Sequence, residues 1–417
     1  MPKGISDKKT ITVLSIGTFL EYFDLMLYIH MAILLNELFF PQNLEHDPLL
    51  ISALSYCATF IFRPVAALFF GKLGDRLGRK SIIALSSFIM SITCLIMANL
   101  PTYEQIGITA TYLFLALKMI QGASSMGEIV SAEIYVIESF KPPKQYLMLN
   151  IVNISVVFAT LCSILLAYYS TSYDDSSSWR FAFWVGSLMA FVGAFARKKL
   201  PETKEFSRKS IKTTKSLFGN NALLNKNSFR ILLYLLIEFA RPATSYFAYI
   251  YCAIILKTEL HYSAKEILLQ NSLLALFDLL ACIFITWLCF KFRPIIILRF
   301  KTLIFLPLLI CIPYLLNGAS NCYSILAIQL ILVFFGPKPV PNSPSFSMSF
   351  ETRKRMTTVS MVFAVSRVLV YVITSFGMAY MYKIIGNFAI LIILGPVTFG
   401  FLYALGKFNI IEQNLVR

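Results

Sequence analysis

Long apolar runs alternate with short polar or basic gaps along the whole chain. Cutting at the polar and Pro-rich gaps leaves twelve apolar stretches, most of them near the roughly 20 residues that a helix needs to cross a hydrocarbon core. We expect helices near residues 11–36, 49–71, 81–99, 106–128, 147–169, 180–199, 230–256, 266–290, 296–316, 322–337, 357–382 and 386–406. The pattern predicts an all-α membrane protein with twelve transmembrane helices.

The tenth stretch departs from this pattern. Gly336-Pro337-Lys338-Pro339 interrupts it, and Pro341 and Pro344 follow. Proline removes a backbone donor and clashes with the preceding helical turn. We therefore expect the tenth helix to be broken or shifted.

Basic residues concentrate in alternate gaps, which predicts the orientation of the chain. The lysines of residues 1–10 and the basic gap at residues 72–80 fall on one side of the membrane. The gaps on the opposite side are often acidic, as at Glu104 and at Asp174 with Asp175. Cytoplasmic loops of membrane proteins carry the excess of Lys and Arg. We expect both termini to lie in the cytoplasm.

A basic segment with little apolar content divides the twelve stretches six and six. We expect an N-terminal six-helix bundle over residues 1–199, a cytoplasmic central loop over 200–228 and a C-terminal six-helix bundle over 229–417.

Composition narrows the function classes. The 417 residues are 58% hydrophobic and 14% charged, with a net charge of +16. In a soluble protein that charge would suggest nucleic acid, but here the basic residues lie in short gaps between apolar runs. We expect a lipid bilayer and no nucleic acid as partner.

The cysteines and histidines show no metal-binding spacing and no catalytic triad stands out. We therefore expect no bound metal, no cofactor and no enzymatic activity.

The most informative segment is GKLGDRLGRK, from Gly71 to Lys80. Gly74 allows close helix approach, and Gly78 permits a tight reversal. Asp75 is the only acid among four bases, and it can lie at a neighbouring helix N-terminus, where the dipole favours negative charge. An ordinary basic loop would explain the bases but not this order of Gly, Asp and Arg. The residues that we expect to form a gating loop are Gly71, Asp75, Arg76, Gly78, Arg79, Lys80 and Glu138.

This segment matches the signature G-x-x-x-D-R-x-G-R-[RK], and the chain resembles the major facilitator superfamily, in particular its metabolite:proton symporters, which include proline/betaine transporters. Three other segments carry the narrower resemblance: Gly17–Tyr28, Lys118–Glu138, and Trp179-Arg180 with Leu200–Thr203.

The resemblance implies a fold of two six-helix bundles and alternating access. It implies proton-coupled symport of a small zwitterionic or organic-acid metabolite, similar to proline or betaine, by a monomer in the bacterial inner (plasma) membrane. The second-half counterpart of the basic segment, Lys291–Arg299, lacks the acid and the glycines. We therefore expect a one-sided latch, with Asp75 and Arg79 held against the other half near the eleventh helix.

Ionisable residues inside the apolar stretches are costly, at about 2.5–3.5 kcal/mol each, and they usually face the bundle interior. We expect the coupling ion to be H⁺ and expect Asp24 or Glu128 to bind it. The alternative is that these residues form buried structural ion pairs. The first-half candidates for the proton and substrate pathway are Glu21, Asp24, Arg63, Lys118, Glu128 and Glu133. The second-half candidates are Glu238, Arg241, Asp278 and Arg367.

Transport of another kind remains an alternative. The intramembrane cations suit anions as well as zwitterions, so a metabolite exchanger or a symporter of dicarboxylates or other organic anions stays open.

Overall fold

The computed structural model describes residues 7–40, 60–170, 178–198, 223–352 and 354–416. Within these ranges the side chains of Glu21, Arg79 and Glu128 lie outside the description. The regular elements of the described chain are all helices.

The described part of the first half contains six long helices. They are α1 (Asp7–Phe39), α2 (Arg63–Leu77), α3 (Arg79–Ala98), α4 (Ile108–Ser139), α5 (Lys144–Ser170) and α6 (Ser178–Lys198). Helix α1 packs along α5, and α3 packs along α4 and α6. Phe39 stacks on Phe114 with ring centroids 4.6 Å apart, and Trp179 packs edge-on against Phe39 at 5.5 Å. These apolar contacts join α1, α4 and α6 in one core.

Six long helices also lie in the described part of the second half. They are α7 (Leu223–Ser245), α8 (Ala264–Leu288), α9 (Pro294–Asn317), α10 (Cys322–Phe335), α11 (Arg355–Ile385) and α12 (Ala389–Val416). Helix α7 continues through a π-helical turn, Tyr246–Tyr251, into Cys252–Thr258. It packs against α11 and α12, and α9 packs against α10 and α12.

The two halves meet mainly along two helix pairs, α2 with α11 and α5 with α8, and α4 also contacts α11. We call the end of the molecule at which α2 meets α3 the loop end. Large apolar side chains such as Leu188 and Phe300 are exposed on the outer surface, as expected for a surface that faces lipid.

Five segments of the described chain are long and apolar enough, by length and composition, to cross a membrane. They are Lys80–Ala98, Lys144–Tyr169, Ala264–Leu288, Pro294–Asn317 and the long segment Arg355–Ile410, which contains α11 and most of α12.

Several helices extend beyond the expected boundaries. Helix α4 ends at Ser139 rather than near 128, and α12 continues to Val416 rather than ending near 406. Helix α7 begins at Leu223, inside the segment 200–228 that we expected to be loop. Hydropathy marks only the part of a helix that lies in lipid, and the backbone hydrogen bonds continue into polar sequence where no breaker intervenes. Residues 199–222 lie outside the description, and the division into domains stays a prediction.

The basic segment is not a loop. Helix α2 includes Gly71 and runs to Leu77, and α3 begins at Arg79. Gly78 alone connects them, with a φ of 93°. Because side chains with a Cβ rarely adopt positive φ, this position requires glycine, and the chain reverses within one residue.

The break in the tenth helix is confirmed. Helix α10 has 14 residues, about 21 Å at 1.5 Å per residue, which is shorter than a hydrocarbon core of about 30 Å. Residues 336–342 are not helical, and a short helix, Ser343–Ser347, follows before α11.

Candidate functional site

Asp75 joins the two halves at the loop end. Its Oδ2 atom accepts hydrogen bonds from the backbone N–H of Thr357, at 3.0 Å, and from the Thr357 hydroxyl, at 2.7 Å. Thr357 lies in the first turn of α11, which begins at Arg355. A carboxylate at this point satisfies a backbone donor that the helix cannot pair internally and interacts favourably with the helix dipole. The expected contact with the eleventh helix is therefore present.

Two glycines allow α2 to approach α11 this closely. A Cβ atom added to Gly71 would lie 2.7 Å from the Cα atom of Thr357, and one added to Gly74 would overlap the side chain of Met356. The glycines of the basic segment thus set the helix separation at which Asp75 reaches Thr357.

A buried ion pair lies beside this contact. Arg355 Nη1 is 3.3 Å from Glu138 Oε1, which joins α11 of the second half to α4 of the first. Arg355 Nε also donates to the carbonyl oxygen of Phe350 at 3.3 Å. On α5, the Tyr146 hydroxyl is 2.7 Å from Ser345 Oγ in the short helix before α11. Polar contacts from α2, α4 and α5 therefore close the loop end.

The basic side chains of the expected gating loop differ in exposure. Arg76 is exposed and Lys80 is half-buried. The side chain of Arg79 is outside the described residues, so its expected contact with the other half stays a prediction.

Glu133 makes a second polar connection between the halves. It lies on α4 farther from the loop end than Glu138. Its Oε1 atom accepts hydrogen bonds from Ser343 Oγ at 2.7 Å and from Ser347 Oγ at 3.2 Å. Both serines belong to the short helix that follows the break in α10. Glu133 thus connects α4 to the irregular part of the second half.

Glu238 and Arg367 pair within the second half. Arg367 Nη2 is 3.3 Å from Glu238 Oε2, and Nη1 donates to the Glu238 carbonyl oxygen at 2.8 Å. Both residues are buried, and the guanidinium also lies 4.1 Å from the Phe363 ring centroid. Charges this deep are tolerated because each has a partner of opposite sign.

Asp24 and Lys118 belong to one buried network in the first half. Asp24 accepts hydrogen bonds from the amide of Gln121 and from Cys94 Sγ, the latter at 3.0 Å. Lys118 Nζ donates to Gln121 Oε1 at 2.7 Å. Gln121 therefore lies between the acid and the base, and it connects α1 with α4.

Sequence reasoning missed the roles of Gln121 and Cys94. Both are uncharged, and only charged residues inside the apolar stretches were selected as candidates. Gln121 does lie in the Lys118–Glu138 segment that carries the family resemblance, and that was the available signal. Arg63, another first-half candidate for the pathway, places its guanidinium 4.2 Å from the Phe60 ring centroid.

Arg241 and Asp278 line a small cavity between the halves, of about 30 Å³. Arg241 Nη1 donates to Asn153 Oδ1 on α5 at 3.2 Å, and Lys338 Nζ is 2.7 Å from Asp278 Oδ1. Lys301 also lines this cavity. Lys301 and Lys338 were not among the expected site residues. Lys301 is a charged residue inside the ninth apolar stretch, and it therefore met the criterion by which the other candidates were selected.

Comparison with known proteins agrees with this architecture. The family model described as Major Facilitator Superfamily matches residues 14–375. The proline/betaine transporter of Escherichia coli (strain K12) is 32% identical over 206 residues, which are 48% of this chain and 41% of that protein. The glycine betaine/proline/ectoine/pipecolic acid transporter OusA of Dickeya dadantii (strain 3937) is 32% identical over 204 residues, with the same coverage. The matches thus span less than half the length of these relatives.

Solved structures show the same fold at low sequence identity. The proton:xylose symporter XylE superposes with a TM-score of 0.77 at 16% identity, covering 95% of this chain and 94% of XylE. The transporter FucP in its outward conformation gives a TM-score of 0.72 at 14% identity, covering 95% of this chain and 98% of FucP. The family model and the names of the sequence relatives support the prediction of a transporter rather than an enzyme. The chain is a multi-pass membrane protein of the Major Facilitator Superfamily.

Proposed function

We propose that the protein is a secondary active transporter that moves a small zwitterionic or organic-acid metabolite by alternating access, in symport with protons. The observation that carries this proposal is the closure of one end of the molecule by polar contacts between the halves. Asp75 with Thr357 and Glu138 with Arg355 are its main elements.

Contacts of this kind suit a reversible gate. They are hydrogen bonds and an ion pair, which water can replace when the halves separate, so each contributes only about 0.5–3 kcal/mol net to closure. The α2 and α11 pair and the α5 and α8 pair provide the surfaces along which one bundle can rock against the other.

Buried carboxylates support proton coupling. Asp24 lies in a network with Lys118, and Glu133 connects α4 to the second half. Gain or loss of a proton at either group changes the hydrogen bonds that it accepts. Glu128 stays a candidate from the sequence, because its side chain is outside the described residues.

The substrate class is proposed from two sources. The names of the relatives support proline- or betaine-like zwitterions. The buried cations support organic acids, and a metabolite exchanger or a dicarboxylate symporter is the alternative.

We also propose a monomer in the bacterial inner membrane with both termini in the cytoplasm and no cofactor. The basic residues of alternate gaps support this orientation. It places the loop end on the cytoplasmic side.

Uptake by proteoliposomes tests the proposal. Purified protein is reconstituted and offered proline, glycine betaine and dicarboxylates, with an imposed gradient of H⁺, of Na⁺ or of neither. We expect uphill uptake of at least one substrate with the H⁺ gradient, and its loss in Asp24→Asn or Glu128→Gln. Counterflow without any response to a gradient would favour the exchanger. Intact uphill uptake in both variants would contradict the assigned proton sites.

A further inference from the structure

The break in α10 brings a lysine into the interior. Residues 336–342 leave the helix before it has crossed a hydrocarbon core, and irregular backbone at that depth occurs only where it lies within protein or lines a cavity. Here it carries Lys338 to Asp278 on α8.

Four charged residues line the resulting cavity, which we call the charged cavity. They are Arg241 on α7, Asp278 on α8, Lys301 on α9 and Lys338 after α10. Three are cations and one is an acid, so the cavity carries a net charge of +2 when all four are ionised.

The contacts within the cavity leave two of these cations without an acidic partner. Lys338 pairs with Asp278 at 2.7 Å. Arg241 donates to the neutral Asn153, and Lys301, only 8% exposed, lies 5.6 Å from the Phe334 ring centroid. Among the described residues, no carboxylate lies within 4.0 Å of the nitrogens of Arg241 or Lys301. Lys301 is buried and Arg241 is half-buried, and a cation inside a helical bundle is costly without a counter-charge. An anionic ligand would supply that counter-charge.

We propose that the charged cavity binds a small organic dianion with two carboxylates, one at Lys301 and one at Arg241. This inference rests on the proposed function and deepens it, because it assigns the transported metabolite to the dicarboxylates. A zwitterion has a single carboxylate and would leave one of the two cations without a counter-charge. The amides of Asn150 and Asn153, which also line the cavity, provide further donors.

The size of the cavity connects binding to the movement of the halves. A volume of about 30 Å³ holds one or two water molecules, and a dicarboxylate needs more room. Asn150, Asn153 and Val157 come from the first half and the other lining residues from the second. Separation of the halves therefore enlarges the cavity, and the dianion binds in the state in which the loop end is open.

Calorimetric titration of the purified full-length protein in detergent tests this inference without requiring transport. The probes are succinate, inorganic phosphate and proline. We expect succinate to bind more tightly than the other two. The loss of one charge-assisted hydrogen bond in Lys301→Gln or Arg241→Gln should raise the Kd for succinate about tenfold or more.

Two controls make the result specific. Lys407→Gln removes an exposed lysine of α12 that lies over the Tyr403 ring, and it should leave the Kd unchanged. Lys301→Arg keeps the charge and should bind succinate within a few-fold of the original protein. Each variant is compared by its Tm, so that loss of binding is separated from loss of fold.

Three outcomes would overturn the inference: no binding of succinate, equal binding of phosphate, or an unchanged Kd in Lys301→Gln. Its failure is distinguishable from that of the proposed function. Succinate binding without gradient-driven uptake would refute the proposed symport and retain the site. Gradient-driven uptake of proline without succinate binding would retain the symport and refute the site.

Discussion

The carboxylate of Asp75 accepts two hydrogen bonds from Thr357, a residue 282 positions later in the chain, one from its backbone N–H and one from its hydroxyl. A side chain from one half of the molecule thereby caps a helix of the other half. Because the two residues belong to different halves, this contact is present only when the halves meet at the loop end.

Asp75→Asn should slow transport while leaving substrate binding largely intact. The amide keeps the shape of the side chain but loses the charge that favours the N-terminus of α11, and hydrogen bonds to charged groups contribute about 1.5–3 kcal/mol. We expect the initial rate of proteoliposome uptake to fall about tenfold or more and the substrate Kd to change little. Lys72→Gln, an exposed residue of the same segment, is the matched control. A pure binding defect would argue against the latch.

Gly71→Ala should hold the loop end apart. Its Cβ atom would lie 2.7 Å from the Cα atom of Thr357, and backbone atoms in a packed interface cannot move aside as a flexible side chain can. Spin labels at Lys72 and Lys354, both exposed, should report a longer distance than in the original protein. Gly395→Ala is the control, because a Cβ atom at Gly395 meets nothing within 4 Å. Equal distance distributions for the two variants would show that the close approach of α2 does not depend on Gly71.

Glu138→Gln should weaken closure by leaving Arg355 without the charge of its ion-pair partner. Both side chains are buried, with relative exposures of 0% and 6%, and removal of one member of a buried ion pair costs about 3–5 kcal/mol. We expect strongly reduced uptake in Glu138→Gln and in Arg355→Gln. The exchange Glu138→Arg with Arg355→Glu should restore part of the activity. A double exchange no more active than either single variant would mean that the pair does not act as a unit.

Asp24 and Lys118 should be coupled through Gln121. Lys118→Gln removes the positive charge near Asp24, and Asp24→Asn removes the negative charge near Lys118. Each single variant should therefore lower the Tm of the purified protein. The double variant should lower it by less than the sum, since coupled residues interact by about 0.5–3 kcal/mol. Additive losses would show that the two residues are independent and that Gln121 does not connect them.

The sequence determined the helices and the position of the main break. Twelve apolar stretches, the reversal at Gly78 and the interruption at Gly336–Pro339 are all local features, because the thickness of the bilayer and the backbone restrictions of Gly and Pro act over short segments. The order of residues in the basic segment also indicated the family, which the family model confirms.

Only the tertiary structure decided which charges are partners. Lys118 approaches Asp24 through Gln121, Glu138 pairs with Arg355, and Lys301 joins the charged cavity. Helix packing in a membrane depends on close fit and polar contacts rather than on hydrophobicity, because the lipid is as apolar as the helix surface. The neighbours of a buried charge therefore depend on how all the helices pack, and hydropathy along the chain does not contain that information.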